Sequence, residues 1–562
     1  MESIISNQDE FDLSNFFTDS LCLDSNISPM AKFQYQPIKN DNIEKMLKKD
    51  LRDALGYNNI GKPRQISENA IGTTVQEFYR GLNIMITGGS GFLGKILIEK
   101  MIRSIPHLGK VYVLVRAKKG TSAKDRFEKL LEDEVFLRMK TEVPDYHKKL
   151  TFVEGDISEP ELGLSVADRC MLQDQIHVVF HSAADVRFVN SLRAAVNTNL
   201  VGAKRMVHLA KGMKNLKSYV HVSTAYSNCV RRVIEEKTYK LSVGYKDIMT
   251  LLEELSDEEI STDENRILQG WPNTYTFSKA LCEDMLYEES SGLPLCIFRP
   301  SVVGPTFEEP LRAWTDNIYG PTGMLMAIGM GVLHIKRFDL SLPLDAVPVD
   351  LTVNAMIAVA WENATDRISS LPVYNFTTSP RNPVIWKRMS STIYQWFHAY
   401  PFEQCIWYPF VMSPPTKSLE RIGEFFLHKI PGHIFDRIAV ATGKEPRLTK
   451  VYNKLSMLRG KLDYFLFGTW EFVNENTELL RNKLSEEDKK LFPYDISVVD
   501  IGEYILLSRL GVKYFYLKEK LENMPKAERK QSWLKILHYS VVAGSYFAAL
   551  KLMVSLAHVL PI

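Results

Sequence analysis

"NIMITGGSGFLGKILIEKM", residues 83–101, joins a short apolar run, three spaced glycines and a helical pattern in direct succession. Gly88, Gly91 and Gly94 form a G-x-x-G-x-x-G turn. In such strand–turn–helix units one glycine permits the tight turn, another lets the backbone approach a pyrophosphate, and a third lets the helix pack on the strand. Because free N–H groups and the positive end of the helix then face an anion, the stretch predicts a dinucleotide site.

Short apolar runs continue beyond this turn and alternate with helical patterns as far as about residue 300. The runs are "NIMIT", "KVYVLV", "LTFVEG", "HVVFHSA", "YVHVST" and "LPLCIF". Each is apolar on both faces, which is typical of parallel strands covered by helices on both sides. The alternation therefore predicts an α/β fold with a doubly wound, parallel Rossmann-type sheet. A glycine-rich turn that binds no ligand is the alternative, but it does not require the second strand that follows at residues 110–115.

The composition is that of an ordinary globular protein, with 562 residues, 45% of them hydrophobic and 24% charged. The net charge of +2 argues against a nucleic-acid partner. The six cysteines are scattered without a close pair, so we expect no metal site and a reducing compartment. The first 30 residues hold six acids and no Lys, Arg or His, which is unlike a secretory or mitochondrial leader.

We expect four regions along the chain. Residues 1–75 are polar and acidic and are predicted to be a disordered extension. Residues 76–360 contain the dinucleotide-binding pattern, and residues 361–530, with their aromatic runs and helical patterns, predict a mainly helical second domain. Residues 533–562 are apolar over a length that can span a bilayer core of roughly 30 Å.

The terminal apolar segment predicts membrane association. Residues 513–535 hold seven basic residues against three acids, which suits an anionic cytoplasmic surface. Lys551 interrupts the segment, so a spanning helix and an interfacial helix both stay open. The alternative is a helix buried in the soluble body.

The end of the second apolar run distinguishes the two nicotinamide dinucleotides. An acid there binds the ribose 2′-hydroxyl of NAD, whereas basic groups accept the 2′-phosphate of NADP. This chain has Arg116, Lys118 and Lys119 at that place, which favours NADPH. After the third run Asp156 is a candidate partner of the adenine amino group, and after the fourth Ala183 and Ala184 are small enough to lie along the cofactor.

Tyr275 and Lys279 lie four residues apart in "NTYTFSK", on one face if this segment is helical. A nearby ammonium group lowers the pKa of a phenol, which then serves as a proton donor to a carbonyl oxygen. "VHVSTAYSN" supplies Ser223 and Thr224 at the end of the fifth run, where a hydroxyl can stabilise the same oxygen. Asn199 is a candidate support for a proton-relay water near the lysine.

With these motifs together, the chain resembles the alcohol-forming fatty acyl-CoA reductases of the extended short-chain dehydrogenase/reductase superfamily. The likeness covers about residues 75–530. In the first half it is carried by "TGGSGFLGK", "VYVLVRAKKG", "HVSTAYSN", "YTFSKALCE", "FRPSVVGPTFEEP" and "AWTDNIYGPTG". In the second half it is carried by "IWYPF", "GKEPRLTKVYNK" and "FGTWEFVNEN".

The resemblance implies a role for each candidate residue. Tyr275 would be the proton donor, Lys279 its partner and a ligand of the nicotinamide ribose, and Thr224 rather than Ser223 the carbonyl-polarising hydroxyl. Pro300 and Ser301 would lie at the nicotinamide side. The pyrophosphate would be lined by Gly88, Ser90, Gly91, Phe92, Leu93 and Gly94.

The implied reaction reduces a long-chain fatty acyl-CoA to a primary alcohol and CoA with two NADPH, through an enzyme-bound aldehyde. The resemblance also implies membrane lipid as a partner and allows a homodimer. It places the catalytic domain in the cytosol, at the endoplasmic reticulum or, alternatively, at the peroxisomal membrane. Two rival functions are another extended-superfamily carbonyl reductase acting on a sterol or nucleotide sugar, and a catalytically silent membrane protein that binds acyl-CoA.

Overall fold

A seven-stranded parallel sheet forms the centre of the molecule. The structure is a computed structural model and describes residues 51–64, 67, 69–118, 120–366, 371–387 and 397–559. The strands of the sheet are β1 (Ile84–Thr87), β2 (Val111–Val115), β3 (Leu150–Glu154), β4 (Val178–His181), β5 (Ser218–Val222), β6 (Leu295–Pro300) and β7 (Val373–Phe376). Their spatial order is β7-β6-β5-β4-β1-β2-β3. The order reverses direction between β1 and β4, and ligands of open α/β sheets bind outside the carboxyl ends of strands at such a point.

The six apolar runs are confirmed as strands of this sheet. Every residue of β1, β2, β4, β5 and β6 is buried, because helices cover both faces of the sheet. The seventh strand corrects the expected boundary at residue 360, since β7 pairs with β6 although it belongs to the region predicted to be helical. Its four residues are too few to show a period, and the change in composition near residue 360 does not coincide with the end of the sheet.

Helices cover both faces of the sheet, and helices also dominate the second half. In the first half they are Leu51–Ala54, Thr74–Phe78, Phe92–Ser104, Ala123–Leu131, Leu137–Glu142, Val166–Gln175, Leu192–Val196, Gly202–Lys211, Tyr245–Glu254, Asp257–Ile267, Thr274–Glu289, Pro321–Gly329 and Val349–Thr365. In the second half they are Lys417–Glu424, Ile430–Ala441, Leu448–Phe467, Glu475–Lys483, Glu486–Leu491, Ile501–Gly511 and Met524–Val559. Among the described residues, two π-helical turns join neighbouring helices, Asn197–Val201 and Phe425–Lys429, and a third, Val512–Tyr516, follows the helix Ile501–Gly511.

The two halves of the chain share one core. Leu480, Leu484 and Phe492 from the second half are buried in the same cluster as the strands β1, β2 and β6. A short parallel pair between Val233–Ile234 and Glu471–Phe472 joins the halves again. The second half therefore packs against the sheet domain instead of forming a detached unit. Two further short pairs join Val302–Gly304 to Ala346–Pro348, and Pro343–Leu344 to Val384–Ile385.

The folded region begins upstream of the boundary expected at residue 75. Leu55, Tyr57 and Val75 are buried in the main core. Because these apolar side chains are removed from water, the residues that carry them are part of the packed body and not of a disordered extension. Residues 1–50, the larger part of the predicted extension, lie outside the described residues.

The terminal helix, Met524–Val559, is 36 residues long, and its first part packs on the body, where Ala527 and Gln531 are buried. Its part from Met524 to Ser555 has a mean hydropathy of 1.3 over its most apolar window, and none of that window is buried. By length and composition it is long and apolar enough to cross a membrane. This helix fits the membrane segment predicted for residues 533–562.

Candidate active site

The glycine turn after β1 leaves a space in front of the helix Phe92–Ser104. Gly88 has φ +73°, and a Cβ atom there would lie 2.7 Å from the main-chain nitrogen of Ala183. A Cβ atom on Gly94 would collide with the carbonyl oxygen of Gly88, so helix and turn pack in direct contact. Gly91 is the N-cap and offers no side-chain cap to the first N–H groups of the helix. These groups fit a pyrophosphate.

The side chains of the other turn residues lie in different surroundings. The ring of Phe92 stacks on Trp314 with centroids 5.5 Å apart, and Leu93 also packs against the core. Only the main-chain groups of these two residues are therefore directed to the turn, whereas Ser90 is exposed. The stacking also explains the "AWTDN" segment, because Trp314 supports the start of the phosphate-facing helix.

Two arginines lie next to each other after β2, Arg116 in the loop and Arg126 on the helix Ala123–Leu131. Arg116 is half exposed and donates to Asp156 Oδ2 at 3.3 Å, and Arg126 donates to the Arg116 carbonyl oxygen. Burial, with Arg116 nearby, lowers the pKa of Arg126. Lys118 is exposed in the same loop, and Lys119 lies outside the described residues. The pair Arg116 and Arg126 offers positive charge where a 2′-phosphate would lie, and Arg126 was not recognised from the sequence.

Asp156 is held in one orientation after β3. Its Oδ1 accepts the Ser158 N–H at 2.9 Å and the Ser158 hydroxyl at 2.7 Å. Burial alone would raise the pKa of Asp156, but these hydrogen bonds and Arg116 keep it below its usual value. Across the turn, Ala183 donates its N–H to Thr87 Oγ1 at 3.3 Å, and Ala184 follows it in the loop after β4. An ionised Asp156 and two small residues fit the adenine end of a dinucleotide.

The helix Thr274–Glu289 carries Tyr275 and Lys279 on one face, as predicted. It begins after Asn273, whose side chain accepts the Thr276 N–H at 2.9 Å. Burial raises the pKa of Tyr275 to about 12, and a hydrogen bond with Thr224 partly opposes the rise. The phenol is therefore protonated at neutral pH and lies beside a hydroxyl, which suits a proton donor to a carbonyl oxygen.

Lys279 does not affect Tyr275 in the way that the sequence suggested. Its ammonium group is buried and donates to the Val222 carbonyl oxygen at 2.7 Å, and burial lowers its pKa. Its charge acts to lower the pKa of His181 and His221, where burial is the larger cause, and it also opposes the rise that burial gives the pKa of Cys282. The net shift of the Tyr275 pKa is upward because burial outweighs the other influences in the described protein.

Ser223 is turned away from the phenol. Its hydroxyl donates to Glu283 Oε1 at 2.5 Å, and Glu283 forms a fully buried ion pair with Arg299 at 2.6 Å. Asn228 also donates to this carboxylate at 3.2 Å. The hydroxyl beside Tyr275 is therefore that of Thr224. The buried pair was missed, although Glu283 follows Tyr275 by two helical turns on the same face.

Asn199 lies in the π-helical turn Asn197–Val201, a type of distortion that often occurs at functional sites. Its amide donates to the Asp185 carbonyl oxygen at 2.9 Å and to the Ser278 hydroxyl at 2.9 Å. Its Oδ1 accepts the Asp185 N–H at 2.7 Å. Both donors of the amide thus join the loop after β4 to the Tyr275 helix.

An aromatic wall built from both halves of the chain stands next to Tyr275. Phe188 stacks on Tyr275 with ring centroids 6.2 Å apart, and Phe465 lies 5.5 Å from Phe188. Phe465 also contacts Tyr226 and Trp470 at 5.4 and 5.9 Å. These five rings are far apart in the sequence, so no local pattern predicts the wall. An apolar wall beside a proton donor fits a hydrocarbon chain attached to the reacting carbonyl group.

The end of β6 lies against the loop that carries Thr224. The Pro300 carbonyl oxygen accepts the Ala225 N–H at 2.9 Å, which holds the loop of Thr224. The Ser301 hydroxyl is buried and has no hydrogen-bond partner among the described residues. A buried hydroxyl without a partner is costly, so this group fits a polar ligand such as a nicotinamide carboxamide.

Comparison with known proteins gives consistent matches over both halves of the chain. A family model described as "Male sterility protein" matches residues 86–356, and a second model with the same description matches residues 427–519. Fatty acyl-CoA reductase wat of Drosophila melanogaster is 37% identical over 475 residues, covering 84% of this chain and 92% of that protein. Fatty acyl-CoA reductase 2 of Homo sapiens is 36% identical over 483 residues, covering 86% and 94%.

Solved structures support the fold. The reductase (R) domain of a nonribosomal peptide synthetase from Mycobacterium tuberculosis is similar, with a TM-score of 0.50, 19% identity, and coverage of 79% of this chain and 96% of that chain. The terminal R domain from the myxalamid PKS-NRPS biosynthetic pathway has a TM-score of 0.50, 18% identity, and coverage of 79% and 91%.

Proposed function

The chain belongs to the fatty acyl-CoA reductase family, and we propose that it uses NADPH to reduce a long-chain fatty acyl-CoA to a primary alcohol and CoA. The observation that carries the proposal is the pairing of Tyr275 with Thr224 at the carboxyl edge of the sheet. This pair lies beside an aromatic wall and on the same edge as the glycine turn. The arrangement supports reduction of a carbonyl group attached to a long apolar chain.

A bound NADPH supplies hydride to the carbonyl carbon. As negative charge develops on the carbonyl oxygen, the Tyr275 phenol donates a proton to it, and the Thr224 hydroxyl donates a second hydrogen bond. The pKa of about 12 keeps Tyr275 in its protonated form until this charge appears. Lys279, held by the Val222 carbonyl oxygen, places positive charge at the base of the site.

The same residues serve both reductions. In the first, hydride adds to the thioester carbon, the C–S bond breaks as the carbonyl re-forms, and CoA leaves with a proton. In the second, hydride adds to the aldehyde carbon and the oxygen takes its proton from Tyr275. Two hydrides and two protons are consumed for each acyl-CoA. The wall of Phe188 and Phe465 would hold the aldehyde in place between the two steps.

The preference for NADPH rests on Arg116 and Arg126 after β2. A 2′-phosphate would accept hydrogen bonds from two guanidinium groups, which are the strongest donors to phosphate. The terminal helix would hold the enzyme at a membrane, with the basic residues before it on the cytosolic side. We favour the endoplasmic reticulum, with the peroxisomal membrane as the alternative.

The test uses membranes from cells that express the full chain, with NADPH or NADH and acyl-CoAs of graded length. Products are identified by gas chromatography with mass spectrometry. Exchange of Tyr275 for Phe is expected to lower alcohol formation by about 10²-fold or more, because the proton donor is lost. Tyr287→Phe is the matched control, since Tyr287 is on the same helix but 65% exposed.

The outcomes separate the proposed reaction from its rivals. NADPH-dependent fatty alcohol that is lost in Tyr275→Phe and kept in Tyr287→Phe would support the proposal. Aldehyde as the final product would refute the second reduction. Equal rates with NADH would refute the cofactor preference. Absence of any product, with the cofactor still bound, would favour a different carbonyl substrate or a binding role.

A further inference from the structure

Two helices of the second half expose an unusual amount of apolar surface. They are residues 417–441, with a π-helical turn in the middle, and Leu448–Phe467, and are named here the helical pair. In residues 417–441 only Glu420, His428 and Gly432 are buried. An apolar row recurs at every fourth position and is between 37% and 61% exposed: Ile422, Phe426, Ile430, Ile434 and Ile438. Exposed apolar rows of this length mark an interaction surface.

A basic row lies next to the apolar row. Arg421, Lys429 and Arg437 each precede a position of the apolar row by one residue, and all three are exposed. One residue is about 100° around a helix, so the two rows are neighbours on its surface. Basic and apolar rows side by side are characteristic of a helix that lies in the interface between water and an anionic bilayer.

The helical pair lies beside the terminal helix at the level where that helix becomes apolar. Trp407 Nε1 donates to His538 Nδ1 at 3.1 Å, and the same indole ring lies 6.4 Å from the ring of Phe435. On the terminal helix the run of basic residues ends at Lys535, and Ile536, next in sequence, is already 59% exposed. A bilayer entered by the terminal helix would therefore meet the helical pair at its surface.

The second helix of the pair connects this surface to the active site. His428 stacks on Tyr452 at 4.8 Å, which holds the two helices together. At the other end, Lys461 donates to the Phe188 carbonyl oxygen at 2.7 Å, and Phe465 packs on the Phe188 ring. The exposed surface and the aromatic wall at the active site thus belong to one continuous element.

We propose that the helical pair is a second membrane-binding surface, with residues 417–441 lying along an anionic bilayer that the terminal helix enters. This surface adds to the membrane association proposed for the terminal helix and rests on it. Its consequence is that the aromatic wall faces the side from which a lipid-dissolved acyl chain arrives. The acyl chain then reaches Tyr275 without crossing bulk water.

The test measures whether lipid touches the apolar row. The full chain is placed in nanodiscs of phosphatidylcholine with a minor fraction of phosphatidylserine, made with ordinary or with brominated acyl chains. Bromine quenches tryptophan only on contact, so the fluorescence that Phe426→Trp adds is expected to fall by about half or more. Val166→Trp is the matched control, because Val166 is 80% exposed on the sheet domain and should not be quenched.

Ile434→Trp, on the same row, repeats the measurement if Phe426→Trp does not fold. An Arg421→Gln and Arg437→Gln variant is expected to lose part of the quenching in anionic discs. Unquenched emission from both row positions would overturn the proposal. Emission that is unquenched but changes with the number of chains per disc would assign the surface to a second copy of this chain, and would overturn it as well. Because the readout needs no turnover, its failure is independent of the catalytic proposal.

Discussion

At the scale of single residues, Ser223 and Thr224 differ in function although they are adjacent and chemically similar. Neighbouring residues after a strand point in opposite directions, so only one hydroxyl can face Tyr275. Ser223 donates to Glu283, and Thr224 is hydrogen-bonded to Tyr275. The direction of the chain after β5 therefore decides which hydroxyl lies beside Tyr275.

This difference predicts opposite effects of two alanine substitutions. Thr224→Ala should lower the rate of reduction by about 10²-fold or more while the unfolding temperature stays close to that of the parent, because one donor to the oxyanion is lost. Thr224→Ser should retain most of the activity. Ser223→Ala should act mainly on stability. Activity assays and thermal unfolding of the detergent-solubilised chain separate these effects, and equal loss of activity in both alanine variants would contradict the assignment.

Both the backbone conformation and the close surroundings of Gly88 exclude a side chain, and comparison with Gly292 distinguishes these two effects. Both Gly88 (φ +73°) and Gly292 (φ +83°) have left-handed backbone conformations, but a Cβ on Gly88 would approach Ala183, whereas Gly292 has open space around it. Gly292→Ala should therefore cost about 1 kcal/mol from backbone strain alone and leave cofactor binding unchanged. Gly88→Ala should abolish NADPH binding as measured by calorimetry. Normal binding by Gly88→Ala would show that the turn does not hold the cofactor.

At the scale of elements, one face of the Tyr275 helix is used along its whole length. Tyr275, Lys279 and Glu283 follow one another at intervals of four residues and contact Thr224, the Val222 carbonyl oxygen and Ser223 in turn. The helix is thus attached to the end of β5 at three successive points. The buried Glu283–Arg299 pair lies at the third point and sets how rigidly the helix is held.

A double-mutant cycle tests this attachment. Glu283→Gln and Arg299→Met each break the pair. Each should lower the unfolding free energy by about 3–5 kcal/mol, because a buried charge is left unpaired. The double variant should cost less than the sum, since neither charge is then stranded. The exposed pair Lys246–Glu288 is the control and should show a coupling below about 1 kcal/mol. Simple additivity at the buried pair would contradict the argument.

At the scale of the whole molecule, two buried histidines link stability to pH. Burial and, to a smaller extent, the charge of Lys279 lower the pKa of His181 to about 3. The same two causes lower the pKa of His221 well below its ordinary value. Both rings are neutral when folded, whereas the unfolded chain takes up protons below about pH 6.5. The stability they contribute is therefore complete above pH 6.5 and is lost as the pH falls towards 3.

Replacement of His181 by Asn should remove its part of this dependence. Between pH 6.5 and 5.5 one such histidine accounts for about 1 kcal/mol of lost unfolding free energy. Chemical unfolding of the solubilised chain at these two pH values should show a smaller loss in His181→Asn than in the parent chain. His208→Asn, at an exposed position, should leave the loss unchanged. An unaltered loss in His181→Asn would refute the linkage.

The sequence alone was sufficient for the features that depend on near neighbours. Six strands, the glycine turn, the spacing of Tyr275 and Lys279 and the terminal apolar segment were all predicted. Each of them is a pattern within about 30 residues, because a strand, a turn or a helical face is determined by local hydrophobic period and backbone preference. The resemblance of motifs over both halves also indicated the family correctly.

Only the tertiary structure decided which of these groups meet. The strand β7, the hydrogen bond of Ser223 to Glu283 and the binding of Lys279 to a carbonyl oxygen depend on contacts between distant segments. The aromatic wall likewise needs Phe465 to reach Phe188 across almost half of the chain. Burial and desolvation, which raise the pKa of Tyr275, exist only once the chain has packed. Local pattern thus determines the elements and their chemistry, and packing determines their partners, because side-chain contacts follow distance in space and not in sequence.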